Sequence, residues 1–103
     1  MEDVITVAVG TDRESARIDV AGEVDASTSP KLAEAIDIAL SGSARRLEIN
    51  AAEVTFIDSA GLRVLVAAQR AAEESGRRVV VTNPSESIRR LLDITGLSAY
   101  LLA

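Results

Sequence analysis

Two short segments hold the residue types that chemistry needs. The first is Phe56-Ile57-Asp58-Ser59-Ala60-Gly61-Leu62, where an apolar run breaks at a polar pair, then a small-residue pair, before a helical pattern starts. Ser59 falls at or next to a helix N-terminus, where free N–H groups and the helix dipole favour a phosphate or another anion. Ala60 and Gly61 carry little bulk, so a partner's backbone has room to approach. The second segment is Gly22-Glu23-Val24-Asp25, followed by Ala26-Ser27-Thr28-Ser29-Pro30. On spacing alone, Asp58-Ser59 reads first as a helix cap and Gly22–Asp25 as a solvated turn. Interest comes from their joint placement. Both lie at the C-terminal ends of strands that feed helices, the edge where open α/β sheets bind ligands and partners.

Composition removes most catalytic readings. The chain of 103 residues has no His and no Cys. Ser59 therefore lacks an imidazole base, and thiolate chemistry, disulfides and most zinc sites are excluded. Glu23, Asp25 and Asp58 are too sparse for a calcium loop. Neither a Walker-type loop nor a dinucleotide fingerprint is present, so no cofactor is expected. The net charge of −5 argues against direct nucleic-acid binding. The pairs Arg45-Arg46, Arg77-Arg78 and Arg89-Arg90 read as solvated element ends. No apolar run reaches the roughly 18 residues of a membrane span, and the acidic Met1-Glu2-Asp3 lacks the basic region of a signal peptide. The expectation is a soluble cytoplasmic protein without membrane insertion, with a monomer as the default.

The surrounding elements follow from hydrophobic period. Val4 to Val9 alternates, with Ile5, Val7 and Val9 on one face. After a turn at Gly10–Arg13, Ala16, Ile18 and Val20 alternate in a second strand, suggesting an antiparallel hairpin. A helix starts at Pro30 with Ser29 as its cap and buries Leu32, Ala35, Ile36, Ala39 and Leu40. Arg46 to Asn50 is a third strand, with Leu47 and Ile49 inward. A second helix runs from Ser59 to about Glu74, with Leu62, Leu65, Val66, Gln69 and Ala72 along one side. Arg77 to Val81 is a fourth strand, and its Val79-Val80-Val81 run suggests burial on both faces. A third helix starts at Asn83-Pro84-Ser85-Glu86 as a capping box and stops at Gly96. Leu97 to Ala103 adds one more turn or an edge strand. The fold class is α/β: one domain over 1–103, order β-β-α-β-α-β-α, a small mixed sheet of four to five strands with helices packed against it. The core is aliphatic, because Phe56 and Tyr100 are the only aromatic residues.

The sequence resembles the STAS domain family, and within it the stand-alone bacterial anti-sigma factor antagonists. The matching residues are Gly22-Glu23-Val24-Asp25, Leu47–Asn50, Val54-Thr55-Phe56-Ile57-Asp58-Ser59-Ala60-Gly61-Leu62, Val79–Val81, Asn83-Pro84 and Leu91–Leu97. They span nearly the whole chain. The resemblance implies partner switching. The unphosphorylated antagonist binds an anti-sigma factor that is also a serine kinase, the sigma factor is freed, the kinase phosphorylates the antagonist, and a serine phosphatase reverses it. Carried onto this chain, the phosphoacceptor is Ser59. The partner-binding residues are Asp25, Thr28, Asp58, Ser59, Ala60, Gly61 and Leu62. The protein is then a substrate and binding module, not an enzyme. Ala60 stands where many similar antagonists have Ser or Thr, which leaves Ser59 as the acceptor of the motif. Ala60 also occurs in STAS subunits of phospholipid-transport ABC systems, the alternative reading.

Overall fold

Two rows of aliphatic side chains run across the centre of the molecule, and strand register puts them there. Ala16 pairs with Leu47 and Leu47 with Val79; Ile18 pairs with Ile49 and Ile49 with Val81. Ile5 and Val7 pair with Val20 and Ile18. The strands are β1 (Val4–Ala8), β2 (Ser15–Val24), β3 (Arg46–Ile57) and β4 (Arg78–Thr82), in spatial order β1-β2-β3-β4. β2, β3 and β4 are parallel, and β1 lies antiparallel on the edge of β2. The structure, a computed structural model, describes residues 4–8 and 15–102. Val9 and the expected turn at Gly10–Arg13 lie outside the described residues.

Helices α1 (Ser29–Leu40), α2 (Ser59–Glu74) and α3 (Glu86–Thr95) bury one stripe each into the same cluster as Ile18, Ile49 and Val81. Leu32, Ala35 and Ile36 come from α1, Leu62, Leu65, Ala68 and Ala72 from α2, Ile88 and Leu92 from α3. Each fully buried leucine or isoleucine among them contributes about 1.5–3 kcal/mol over leaving it exposed. The opposite side of the sheet carries Arg17, Asp19, Glu48 and Asn50. Arg17, Asp19 and Asn50 are linked by an Arg17–Asp19 ion pair at 2.9 Å and an Asn50-to-Asp19 hydrogen bond at 2.9 Å. Val80 is nonetheless fully buried, as its unbroken apolar run implied.

Four local expectations need correction. Gly22-Glu23-Val24 is not a turn but the end of β2, paired as far as Val24 with Ile57. β3 likewise continues seven residues past Asn50. The alternation fades there because β3 carries an extra residue at each of two register shifts, opposite Asp19/Ala21 and Gly22/Glu23. Buried positions then fall at Ala51, Val54 and Ile57 instead of every second residue. The cap of α1 is Thr28, not Ser29. The cap of α3 is Ser85, whose Oγ accepts from the Ile88 amide, and Asn83 instead takes a left-handed turn at φ 49. A left-handed Asn83 does not have the extended backbone typical of an N-cap, so the expected box does not form. For the tail, the expected further turn forms and the alternative edge strand does not, among the described residues. The tail makes a one-turn helix, α4 (Ser98–Leu101), that buries Leu101, and a single bridge joins Leu102 to Val81.

Candidate functional site

β2 and β3 end side by side, so the chain leaves the sheet twice at one place. The Asp58 amide donates to the Val24 carbonyl at 3.2 Å, which bonds the start of one loop to the end of the other strand. Asp58 is extended and caps α2: its Oδ1 accepts from the Ala60 amide at 2.9 Å and the Gly61 amide at 3.2 Å. Its carbonyl accepts from the Leu62 amide at 3.0 Å, the first turn of the helix. Ser59 is the first helical residue and is exposed. This changes the expected chemistry at the helix start. Two of the amides expected to be free for an anion are already taken by the Asp58 carboxylate.

The other loop is built around Asp25. Its Oδ1 accepts from the Ser27 hydroxyl at 2.8 Å, the Ser27 amide at 2.9 Å and the Thr28 amide at 3.1 Å. The Asp25 carbonyl accepts from Ser29 at 2.7 Å. The Ser27 hydroxyl, assisted by these amides, holds the Asp25 carboxyl below the usual carboxylate range. Thr28 is buried, and its hydroxyl works for the loop rather than for the helix it caps. Thr28 Oγ1 donates to the Glu23 carbonyl at 2.8 Å and accepts from the Asp25 amide at 2.9 Å. That is why α1 has no side-chain cap bond.

The structure therefore brings Asp25, Asp58 and Ser59 to one edge, as their strand ends implied. It sorts the remaining expected residues differently. Leu62 faces the core at 9% exposure, packed in the cluster with Leu65. Gly61 is also buried, and its missing side chain serves an internal contact. A β-carbon there would lie 2.7 Å from Val24 Cγ1 and 2.9 Å from Ile57 Cγ1. The space expected for a partner's backbone is filled by the protein itself. Ala60 is half-buried and Thr28 is an internal brace. Two contributors were missed in the sequence. Ser27 sits two residues after an aspartate, a spacing that reads as an Asx turn. Val24 gives no signal short of the register that sets it against Ile57.

The arginine pairs do mostly what solvated ends do, with one exception. Arg46 pairs with Glu48 at 3.0 Å and Arg90 with Glu86 at 3.2 Å, both exposed enough to add little stability. Arg77 instead reaches the Gly42 and Ala44 carbonyls, both at 3.1 Å, and ties the α1–β3 connection to the start of β4. No group of three or more acidic residues able to hold a metal ion occurs among the described residues. A groove of about 370 Å³ runs between α1 and α2, lined by Ile36, Leu40, Val64 and Ala67. A smaller one of about 200 Å³ lies under Phe56, Leu91 and Ile94. Neither groove is lined by Asp25, Asp58 or Ser59. An edge whose key residues line neither groove suits a protein partner better than a small molecule. No helix among the described residues is long and apolar enough to cross a membrane.

Comparison with known proteins agrees with this architecture. A family model described as "Mlab, STAS domain" matches residues 7–103. The chain belongs to the STAS domain family. It is 38% identical over 89 residues to the anti-sigma-B factor antagonist of Listeria monocytogenes, covering 84% of this chain and 78% of that protein. Among solved structures it is similar to an anti-sigma factor antagonist from Mycobacterium paratuberculosis. That likeness has 31% identity and a TM-score of 0.76, over 95% of this chain and 83% of that one. The fold also matches the anti-sigma factor antagonist SpoIIAA in its unphosphorylated form, with a TM-score of 0.81 at 23% identity over 96% and 86% of the two chains.

Proposed function

We propose that this chain is an anti-sigma factor antagonist that works by partner switching in the cytoplasm. Unphosphorylated, it binds an anti-sigma factor serine kinase and so releases the sigma factor. Phosphorylation of Ser59 ends that binding, and a serine phosphatase restores it. The chain is a substrate and a binding module and performs no catalysis of its own. The observation that carries this reading is the exposed Ser59, first residue of α2, held beside the Asp58 cap on the same edge as the Asp25 turn. The anti-sigma factor antagonists among its relatives support it.

The geometry supplies a mechanism for the switch. A phosphate adds about −1.5 to −2 charge. With the Ala60 and Gly61 amides bonded to Asp58, it projects outward instead of settling onto the helix start. A partner covering this edge must then desolvate the phosphate next to the Asp58 carboxylate, and like charges oppose that. The fold itself need not change. Asp25, Asp58 and Ser59 are the contact residues of the proposed interface, while Thr28, Gly61 and Leu62 act from within.

Incubation with ATP and an anti-sigma factor kinase, followed by mass spectrometry, tests this. Modification at Ser59, abolished by Ser59→Ala, is the expected result. Modification at Ser27 or Ser85 with Ser59 untouched overturns it. A second reading, a STAS subunit of a phospholipid-transport ABC system, is favoured by Ala60, which such subunits share. Under that reading the chain copurifies with an ATPase and a permease and Ser59 stays unmodified.

A further inference from the structure

Glycine is the poorest helix former after proline, yet Gly61 is the third residue of α2 and is buried. Its backbone is not among those with positive φ, so conformational freedom does not explain it. Space does. A β-carbon at Gly61 would meet Val24 Cγ1 at 2.7 Å, Ile57 Cγ1 at 2.9 Å and the Val24 carbonyl oxygen at 3.1 Å. Two of these three atoms belong to Val24. The same Val24 carbonyl accepts the Asp58 amide, and the residue after Val24 is Asp25, which opens the turn closed by Thr28. Val24 is thus held from the α2 side by a hydrogen bond and a close packing contact, and the Asp25 turn hangs from it.

We infer that Gly61 is a positioning residue: its missing β-carbon lets Val24 seat against the start of α2, and that contact sets the Asp25–Thr28 turn beside Ser59. A methyl group there must move something, because packed interiors have no slack of that size. The start of α2 is anchored by Leu62 and Leu65 in the core. The end of β2 is the softer side, with its register already shifted between Gly22 and Glu23 and Ala26 and Ser27 exposed beyond it. The displacement therefore passes to the turn, and Asp25 moves relative to Ser59. The consequence for a partner rests on the reading of Ser59 as acceptor and Asp25 as contact; the consequence for the turn does not.

The test compares Gly61→Ala, Val24→Ala and the double variant by amide NMR and by phosphorylation with an anti-sigma factor kinase. Gly61→Ala is expected to shift the Ser27 and Thr28 amide resonances and to raise KM by about tenfold with kcat within about twofold. Adding Val24→Ala removes the nearest of the three contacts, the one at 2.7 Å, and returns both readouts part of the way towards wild type. Should Gly61→Ala not fold, Val24→Ile presses on the same contact from the other side and is read the same way. Unshifted turn amides with unchanged KM, or a loss that Val24→Ala does not relieve, overturn the inference. A wild-type chain that the kinase leaves unmodified overturns the proposed function instead, and the amides alone then decide this one.

Discussion

The Val79 amide on β4 donates to Gln69 Oε1 on α2 at 2.8 Å, and both residues are almost wholly buried. β4 is an edge strand, and a buried edge amide needs a partner that no neighbouring strand supplies. Gln69 also lies 3.5 Å from the Tyr100 carbonyl through Nε2, so one side chain joins α2 to β4 and to the C-terminal turn. Replacing it with Leu keeps the volume but orphans the Val79 amide. Gln69→Leu is expected to lower stability by about 1–3 kcal/mol, measured by urea unfolding with an unchanged m-value. A loss below about 0.5 kcal/mol contradicts this role for Gln69.

Leu62 offers a second check: helical phase placed it in the core, the family resemblance placed it among the contact residues, and it lies in the core. Leu62→Ala is expected to cost about 2–5 kcal/mol of stability. Denaturant unfolding measures it, and an unmoved midpoint would return Leu62 to the surface.

Much of this was legible in the sequence, for reasons that particular residues show. Ile18 and Ile49 sit in segments that alternate cleanly because those strand segments are regular, Val81 sits in an unbroken apolar run, and the Leu62–Ala72 stripe keeps helical phase throughout. Legibility ended where two elements meet. The bulges opposite Ala21 and Glu23 break the alternation of β3, so the strand ran on unseen to Ile57. Asp25, Asp58 and Ser59 were placed on one edge by topology alone. The inward turn of Gly61, and the bracing role of Thr28, depend on how β2 packs against α2, and no local pattern carries that.

Asp25 has a pH signature. Its folded pKa is depressed, with the Ser27 hydroxyl as the largest cause. The bonded turn therefore has its full contribution above the usual carboxylate pKa and loses it as pH falls through the lower folded value. Ser27→Ala is expected to raise the Asp25 pKa towards the ordinary range, read by carboxyl carbon NMR titration. Identical titration curves for the two proteins would remove Ser27 from the turn.

The cap assignment separates neighbouring residues of one motif. Asp58 holds the α2 amides, so Asp58→Ala is expected to lose about 0.5–2 kcal/mol. Ser59→Ala is expected to stay within about 0.5 kcal/mol. Thermal melts of the two variants check this, and the reverse order would make Ser59 the cap.

Calorimetric titration of Ser59→Asp and Ser59→Ala into an anti-sigma factor kinase bears most directly on the switch. Both variants are expected to keep the fold. Ser59→Ala binds like wild type, whereas Ser59→Asp binds at least about tenfold more weakly, about 1.4 kcal/mol, because its carboxylate must be desolvated beside Asp58. Equal affinity of wild type and Ser59→Asp for a kinase that binds the wild-type chain would contradict the switch at Ser59.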